Sequence, residues 1–200
     1  MHGLICKSLE GFVIDRHGSQ VWTAIREECG LPFDRFEALR SYDDALIVQV
    51  VGATAKRMGQ PRLALLEDIG HWICTHPPLE AVRRLIRFTG ATFVDLIYAF
   101  DEVQDRARIA VPGLTLPRFR VIEGAPGHFT VTSHWDVAGG GAVATGILRA
   151  MADDYGALAV IETVEAGPDD GAWRERIDVR LFEVEFHEPR EFSLGGGAVP

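Results

Sequence analysis

The spacing of apolar residues changes once along this 200-residue chain, close to Pro112. Before that point apolar side chains recur every three or four positions, as at Leu65, Ile69 and Trp72, which is the period of amphipathic helices. After it, polar and apolar residues alternate in segments that flank Gly and Pro turns, which is typical of antiparallel hairpins. The pattern therefore predicts an α+β fold, in which a helical N-terminal subdomain packs on an antiparallel sheet.

Two predicted hairpins supply the sheet. The first joins Arg118–Glu123 to His128–His134, and the second joins Ala157–Glu165 to Trp173–Phe186. Together they predict a four-stranded antiparallel sheet, and a single amphipathic helix between the two hairpins is expected to cross it. In the last strand the apolar positions shift by one residue, which predicts a bulge near Leu181.

The whole pattern predicts one domain over residues 1–192. We predict a helical part at 1–110, a sheet part at 111–192 and a flexible tail at 193–200. In the helical part, the apolar spacing predicts one helix from Phe93 to about Arg108. The Gly139-Gly140-Gly141 run is interpreted as a flexible connection, because it lacks the lysine and the preceding parallel strand of a phosphate-binding loop.

Composition narrows the classes of function. The chain has 20 basic and 29 acidic residues and a net charge of −9, which gives no electrostatic attraction to nucleic acid or to anionic membranes. Its apolar stretches are too short to span a bilayer, and no leader-like pattern is present. Cys6, Cys29 and Cys74 are widely spaced and are predicted to be reduced core residues. We therefore expect a cytoplasmic protein.

Six fragments occur in order along nearly the whole chain. They are Met1-x-Gly3-x-Ile5, Gly18 with Val21-Trp22-x-x-Ile25, Tyr42-x-Asp44, Leu65-Leu66-Glu67-x-x-Gly70, Phe100-Asp101-Glu102-Val103-x-Asp105, and Pro112-Gly113 with Leu116-Pro117-Arg118-Phe119. In this order and spacing they resemble the H-NOX family, the heme nitric-oxide/oxygen binding proteins. The resemblance implies the H-NOX fold and a sensory role, in which the helical half moves against the sheet to signal to a partner.

The resemblance also locates the positions that hold heme in that family. The histidine that coordinates the iron falls on Gln104, and the Tyr-x-Ser-x-Arg motif that holds the heme propionates falls on Ser133-x-Trp135-x-Val137. A glutamine amide is a weak iron ligand, and a valine cannot form the charge-assisted pairs of an arginine. We therefore predict that heme is not bound in the family's usual way, and we predict no cofactor and no metal site.

Five further positions match the surroundings of the family's heme. Ile5, Leu9 and Ile73 match residues that line its gas pocket, and Phe100 belongs to the most specific fragment. Pro117 matches a proline that presses on the porphyrin. The apolar residues among them are also ordinary core residues by periodicity, so a pocket role and a packing role both remain open.

Two of the substituted positions have alternative interpretations. Gln104 either lines a pocket for a different ligand or is a polar helix residue without a ligand role. Trp135 either fills the volume that heme vacates or stacks on a flat ligand. Candidates for a substitute axial ligand are His2, His71, His76 and His134, and each also fits an ordinary hydrogen-bonding role.

No catalytic motif is visible in the sequence. The predicted function is a non-catalytic sensory or regulatory domain, which acts through a small apolar ligand or through a protein partner. The resemblance suggests a histidine kinase or a cyclic-di-nucleotide enzyme as that partner. The alternative is a heme-binding sensor of nitric oxide or oxygen with a substitute axial ligand. An enzyme that uses the old heme cavity is a third hypothesis.

Overall fold

The computed structural model describes residues 1–182 of the chain, so the predicted tail and residues 183–192 lie outside the described part. Within it the chain forms eight α-helices and four strands. In chain order these are α1 (Gly3–His17), α2 (Ser19–Glu28), α3 (Asp44–Met58), α4 (Arg62–Thr75), α5 (Glu80–Arg87), α6 (Phe93–Ala99), α7 (Val103–Ala110), β1 (Arg118–Glu123), β2 (His128–Trp135), α8 (Gly140–Tyr155), β3 (Leu158–Asp169) and β4 (Ala172–Phe182). None of these helices combines the length and the hydropathy needed to cross a bilayer.

The sheet has the strand order β1-β2-β4-β3, and every neighbouring pair is antiparallel. This confirms the predicted four-stranded sheet with one helix, α8, between its two hairpins. The second hairpin is longer than predicted, since β3 reaches Asp169 and β4 begins at Ala172. Asp170 and Gly171 make the turn, and both have positive φ angles (45° and 84°), as a two-residue hairpin turn requires.

The bulge lies in a different strand from the one predicted. In β4, Leu181 pairs regularly with Ala159, so the prediction of a bulge near Leu181 is wrong for the residues described. The register shifts instead in β3, where Thr163 pairs with Ile177 but Glu165 pairs with Arg176. The extra residue is therefore in the partner strand, which the apolar phase of β4 alone does not reveal.

The helix predicted over residues 93–108 is also wrong as a single helix. A 3-10 turn at Phe100–Glu102 separates α6 from α7. The first side chain of this turn packs edge-on against Phe119, with 5.2 Å between ring centroids. The next, Asp101, accepts a hydrogen bond of 2.7 Å from the backbone N–H of Val121. Contacts with β1 therefore accompany the break, and helix periodicity carries no signal for them.

The apolar core has two parts, and α8 joins them. One part lies among α1 to α4, around residues such as Val13 and Leu65, and the other lies between α6, α8 and the sheet, around Leu148. Helices α4 and α8 cross with their backbones nearly in contact, because a Cβ at Gly146 would lie 1.9 Å from the carbonyl oxygen of Glu67. The sheet half and the helical half therefore share a packed helix pair.

The three cysteines lie in these cores. Cys6, Cys29 and Cys74 are buried and free, which confirms their predicted role as small core residues. Burial raises the pKa of the Cys74 thiol to about 12, so the thiol stays neutral at ordinary pH.

Candidate functional site

The predicted pocket residues do not come together in one place. Leu9 is buried in the core among α1 to α4, and Ile73 packs at the margin of that core. Phe100 belongs to the other core, against the sheet. Ile5 is half-buried on α1, outside both cores. The structure therefore places three of these four positions in two packed regions and leaves Ile5 outside both.

A second group lies beneath the first turn of α8. A Cβ at Gly140 would lie 2.5 Å from Pro117 Cγ and 3.0 Å from Trp135 Cε3, so the helix start rests directly on both side chains. The interpretation of residues 139–141 as a flexible connection is therefore wrong, because the glycines permit this close approach. The half-buried Val137 lies in the segment that connects β2 to α8.

The sheet face beneath this turn becomes polar toward the end of β2. The inward pair Val131 and Ile177 is fully buried, and the next inward pair is Ser133 and Glu175. Trp135 pairs with Trp173 one step further along the same face. We call Pro117, Ser133, Trp135, Trp173 and Glu175 the covered site.

Glu175 is the polar centre of the covered site. Its side chain belongs to a residue that is only 1% exposed, and its Oε2 accepts a hydrogen bond of 2.5 Å from the backbone N–H of Gly141. Burial raises the pKa of this carboxyl above its ordinary value of 4.5, although the N–H groups at the start of α8 act in the opposite direction. Three buried polar atoms have no hydrogen-bond partner in the described structure: Glu175 Oε1, Ser133 Oγ and Trp173 Nε1.

Sequence reasoning missed Glu175. The available signal was its position, since Glu175 occupies an inward place in the alternation that continues through Ile177 and Val179. An acidic residue at such a place is a buried polar group, and buried polar groups require partners.

Gln104 lies in different surroundings. It is half-buried on α7 and lines a cavity of about 310 Å³ between that helix and β1. The residues that line this cavity are Asp101, Gln104, Asp105, Arg108, Arg118 and Phe119, and we call it the Gln104 cavity. None of the five residues of the covered site lines it.

Three of the candidate histidines have local partners. His2 caps α1, because its Nδ1 accepts from the N–H of Leu4 at 3.3 Å. His76 stacks on Trp72 with 4.5 Å between ring centroids, and His134 Nε2 lies 3.6 Å from a carboxylate oxygen of Asp169.

The remaining candidate, His71, is exposed on α4. Within residues 1–182, no three His, Cys, Asp or Glu side chains converge in a way that could hold a metal ion.

A helical half packed on a four-stranded antiparallel sheet, with α8 across the junction, is also the arrangement of solved H-NOX domains. Residues 2–163 match the Haem-NO-binding family, so this chain belongs to that family. One relative, the soluble guanylate cyclase gcy-31 of Caenorhabditis elegans, is 22% identical over 119 residues. The match covers 60% of this chain but only 17% of that protein.

Solved H-NOX structures share the fold. A mutant of Cs H-NOX has a TM-score of 0.76 at 17% identity, covering 95% of this chain and 98% of its own. A point mutant of T. Tengcongensis H-NOX gives 0.75 at 17% identity, covering 95% and 100%. An S. oneidensis H-NOX protein in the Fe(II)NO ligation state gives 0.76 at 18% identity, covering 91% and 99%. These likenesses confirm the predicted fold.

Proposed function

We propose that this chain is a non-catalytic sensory or regulatory domain that does not bind heme in the usual H-NOX manner and acts through another ligand or a protein partner. The observation that carries the proposal is the buried carboxylate of Glu175, which lies directly opposite Ser133. Ser133 is the first of the three positions on which the family's propionate-binding motif falls.

The buried carboxyl of Glu175 makes this a poor place for a second carboxylate, because burial disfavours the charged form of either group. Heme propionates are anions, and two like charges held close together in a low-dielectric site destabilise each other strongly. The covered site contains no cationic side chain that would offset them, and Val137 replaces the motif's arginine. The residues present therefore do not fit the carboxylate end of a heme.

The packing of Trp135 points in the same direction. The first turn of α8 rests on Trp135 and Pro117, with a Cβ at Gly140 excluded by both. These contacts favour the interpretation that the indole fills volume, since a ligand stacked on this part of the ring would displace the helix.

The iron side of the site is changed as well. Gln104 offers an amide in place of an imidazole, and it lines a cavity whose walls carry two acidic and two basic side chains. A cavity lined by exposed, charged side chains does not provide the apolar walls on which a porphyrin packs.

The partner in this proposal is a signalling protein, such as a histidine kinase or a cyclic-di-nucleotide enzyme. The relative named as a soluble guanylate cyclase, in which the matched region is a small part of a longer protein, supports a role beside a signalling enzyme. The proposal assigns catalysis to no residue of this chain.

Absorbance spectroscopy of the purified protein, titrated with hemin and then reduced, tests the proposal. We expect no sharp Soret band at one heme per chain. The Gln104→His variant is expected to behave in the same way, because Glu175 and the packed Trp135 remain in place. A stoichiometric Soret band that shifts with nitric oxide in the native protein would overturn the proposal. Loss of that band in His71→Ala would then identify the exposed His71 as the substitute ligand.

A further inference from the structure

The Gln104 cavity has walls from two elements. Gln104, Asp105 and Arg108 line it from α7, where Arg108 follows Gln104 by four residues and Asp105 by three, which are the spacings of neighbours on a helix surface. Arg118 and Phe119 come from β1, and the half-buried Phe119 is held by its edge contact with Phe100. The cavity therefore lies where the helical half meets the sheet.

Opposite charges share this cavity without forming ion pairs among residues 1–182. Asp101, Asp105, Arg108 and Arg118 all line it, yet none of them forms an ion pair within 4.0 Å with another described residue. Arginines of β4 behave differently. Arg174 lies 3.0 Å from a carboxylate oxygen of Glu165, and Arg180 lies 3.1 Å from one of Glu162.

These charges, which have no ion pair within the described part of the chain, and the volume of the cavity together define which ligand fits. A lone anion would meet the two carboxylates, and a lone cation would meet the two guanidinium groups. A molecule that carries both charges can place its ammonium toward the aspartates and its carboxylate toward the arginines. The amide of Gln104 both donates and accepts, so it can bond either end.

We propose that the Gln104 cavity binds a small zwitterion with an ammonium and a carboxylate group, such as a free amino acid. This inference rests on the proposed heme-free function and names the ligand class for it. The cavity volume of about 310 Å³ is at the lower end of the range of roughly 300–1,000 Å³ for small-molecule sites, which suits a ligand of this size.

Such a ligand would link α7 to β1. Asp101 already fixes the adjoining turn to the sheet through the N–H of Val121 at 2.7 Å. A zwitterion that contacts Arg108 and Arg118 together adds a second connection between the helical half and the sheet. Binding would thus favour one relative position of the two halves, which is what a sensory domain requires.

The test uses the protein prepared without heme. Thermal unfolding is followed with each of the twenty free amino acids, and any that stabilises the protein is titrated by calorimetry. We expect at least one amino acid to bind. Arg118→Gln and Asp105→Asn should each weaken its binding by about tenfold or more, because each substitution removes a charge-assisted contact. Arg120→Gln, on the same strand but outside the cavity lining, is the matched control and is expected to bind as the native protein does.

Derivatives of the ligand test the requirement for both charges. The matching amino alcohol lacks the carboxylate and the N-acetyl derivative lacks the ammonium, so both are expected to bind much more weakly. The inference is overturned if no amino acid binds, if either derivative binds as well as the zwitterion, or if Arg120→Gln weakens binding as much as Arg118→Gln. Failure of the heme-free function would register separately, as a Soret band in the hemin titration.

Discussion

Glu175 and Asp101 are two of the carboxylates that accept a hydrogen bond from a backbone N–H, and they differ chiefly in burial. Glu175 accepts from Gly141 at 2.5 Å inside the covered site, where the residue is 1% exposed. Asp101 accepts from Val121 at 2.7 Å and is exposed at the Gln104 cavity. The family resemblance predicts that the two regions match the two ends of the family's heme site, and in this structure their surroundings differ.

The covered site is packed beneath the first turn of α8, whereas the Gln104 cavity is lined by exposed charged side chains. A polar group that loses its partner in a closed site stays without water, so changes there act mainly on stability. In an open site water replaces the lost partner, so changes there act mainly on binding. We therefore expect substitutions in the covered site to change mainly the free energy of unfolding, and substitutions at the Gln104 cavity to change mainly ligand binding.

Substitution of Gly141 by valine is expected to have the largest effect. A Cβ at this position would lie 2.5 Å from Glu175 Cβ, so α8 must move away from the sheet. Overpacking of this kind lowers the free energy of unfolding by roughly 3 kcal/mol. Urea unfolding measures the loss. Gly167→Val is the matched control, because a Cβ at Gly167 meets no atom within 4 Å. Equal stability of the two variants would show that the covered site is not closed.

Removal of the buried carboxylate is expected to have the next largest effect. Glu175→Ala leaves the N–H of Gly141 without its acceptor in a buried place, which destabilises the fold by about 1–3 kcal/mol. Glu162→Ala removes an exposed carboxylate that pairs with Arg180 and should cost less than about 1 kcal/mol. Urea unfolding of both variants measures the two losses. A larger loss for Glu162→Ala than for Glu175→Ala would contradict the expectation that the buried carboxylate matters more for stability.

The pH dependence of stability isolates the charge of Glu175. Because burial raises its pKa in the folded state, the folded protein binds more protons than the unfolded chain as pH rises above the ordinary value of 4.5. Its contribution to stability is therefore present below that pH and is lost as pH rises through the raised pKa. Glu175→Gln has no such titration, so its stability relative to the native protein should increase with pH over this window.

Urea midpoints of the native protein and of Glu175→Gln, measured from about pH 4 to pH 8, give this difference. Glu162→Gln serves as the control for a solvated carboxylate. If the stability of Glu175→Gln relative to the native protein stays constant or falls as pH rises, burial does not disfavour the charged form of Glu175 in the folded protein.

Periodicity and turn chemistry predicted most of the fold. The two hairpins, the crossing helix and the change of character near Pro112 all follow from apolar spacing within short segments. The break at Phe100–Glu102 and the bulge in β3 were not predicted, because each depends on what a distant strand contacts. Local patterns carry no information about such contacts.

The candidate site was less predictable for the same reason. The resemblance located Gln104 and Ser133, but only the register of β2 against β4 places Glu175 opposite Ser133. The glycine run at 139–141 has the same composition whether it is a flexible connection or a close-packed helix start. The identity of its neighbours, Pro117 among them, decides between the two.

Removal of the exposed carboxylate of Asp101 is expected to have the smallest effect on the free energy of unfolding. Asp101→Ala takes away the acceptor for the N–H of Val121, but water can reach this place, so the loss should be about 0.5–1 kcal/mol. Asp105→Ala is the matched control, since Asp105 lines the same cavity and makes no ion pair with a described residue. A loss for Asp101→Ala as large as that for Glu175→Ala would mean that burial does not separate the two regions. A loss in the free energy of unfolding of only about 0.5–1 kcal/mol would mean that side chains of the Gln104 cavity can be substituted without unfolding the protein. Such substitutions can then be used to test ligand binding.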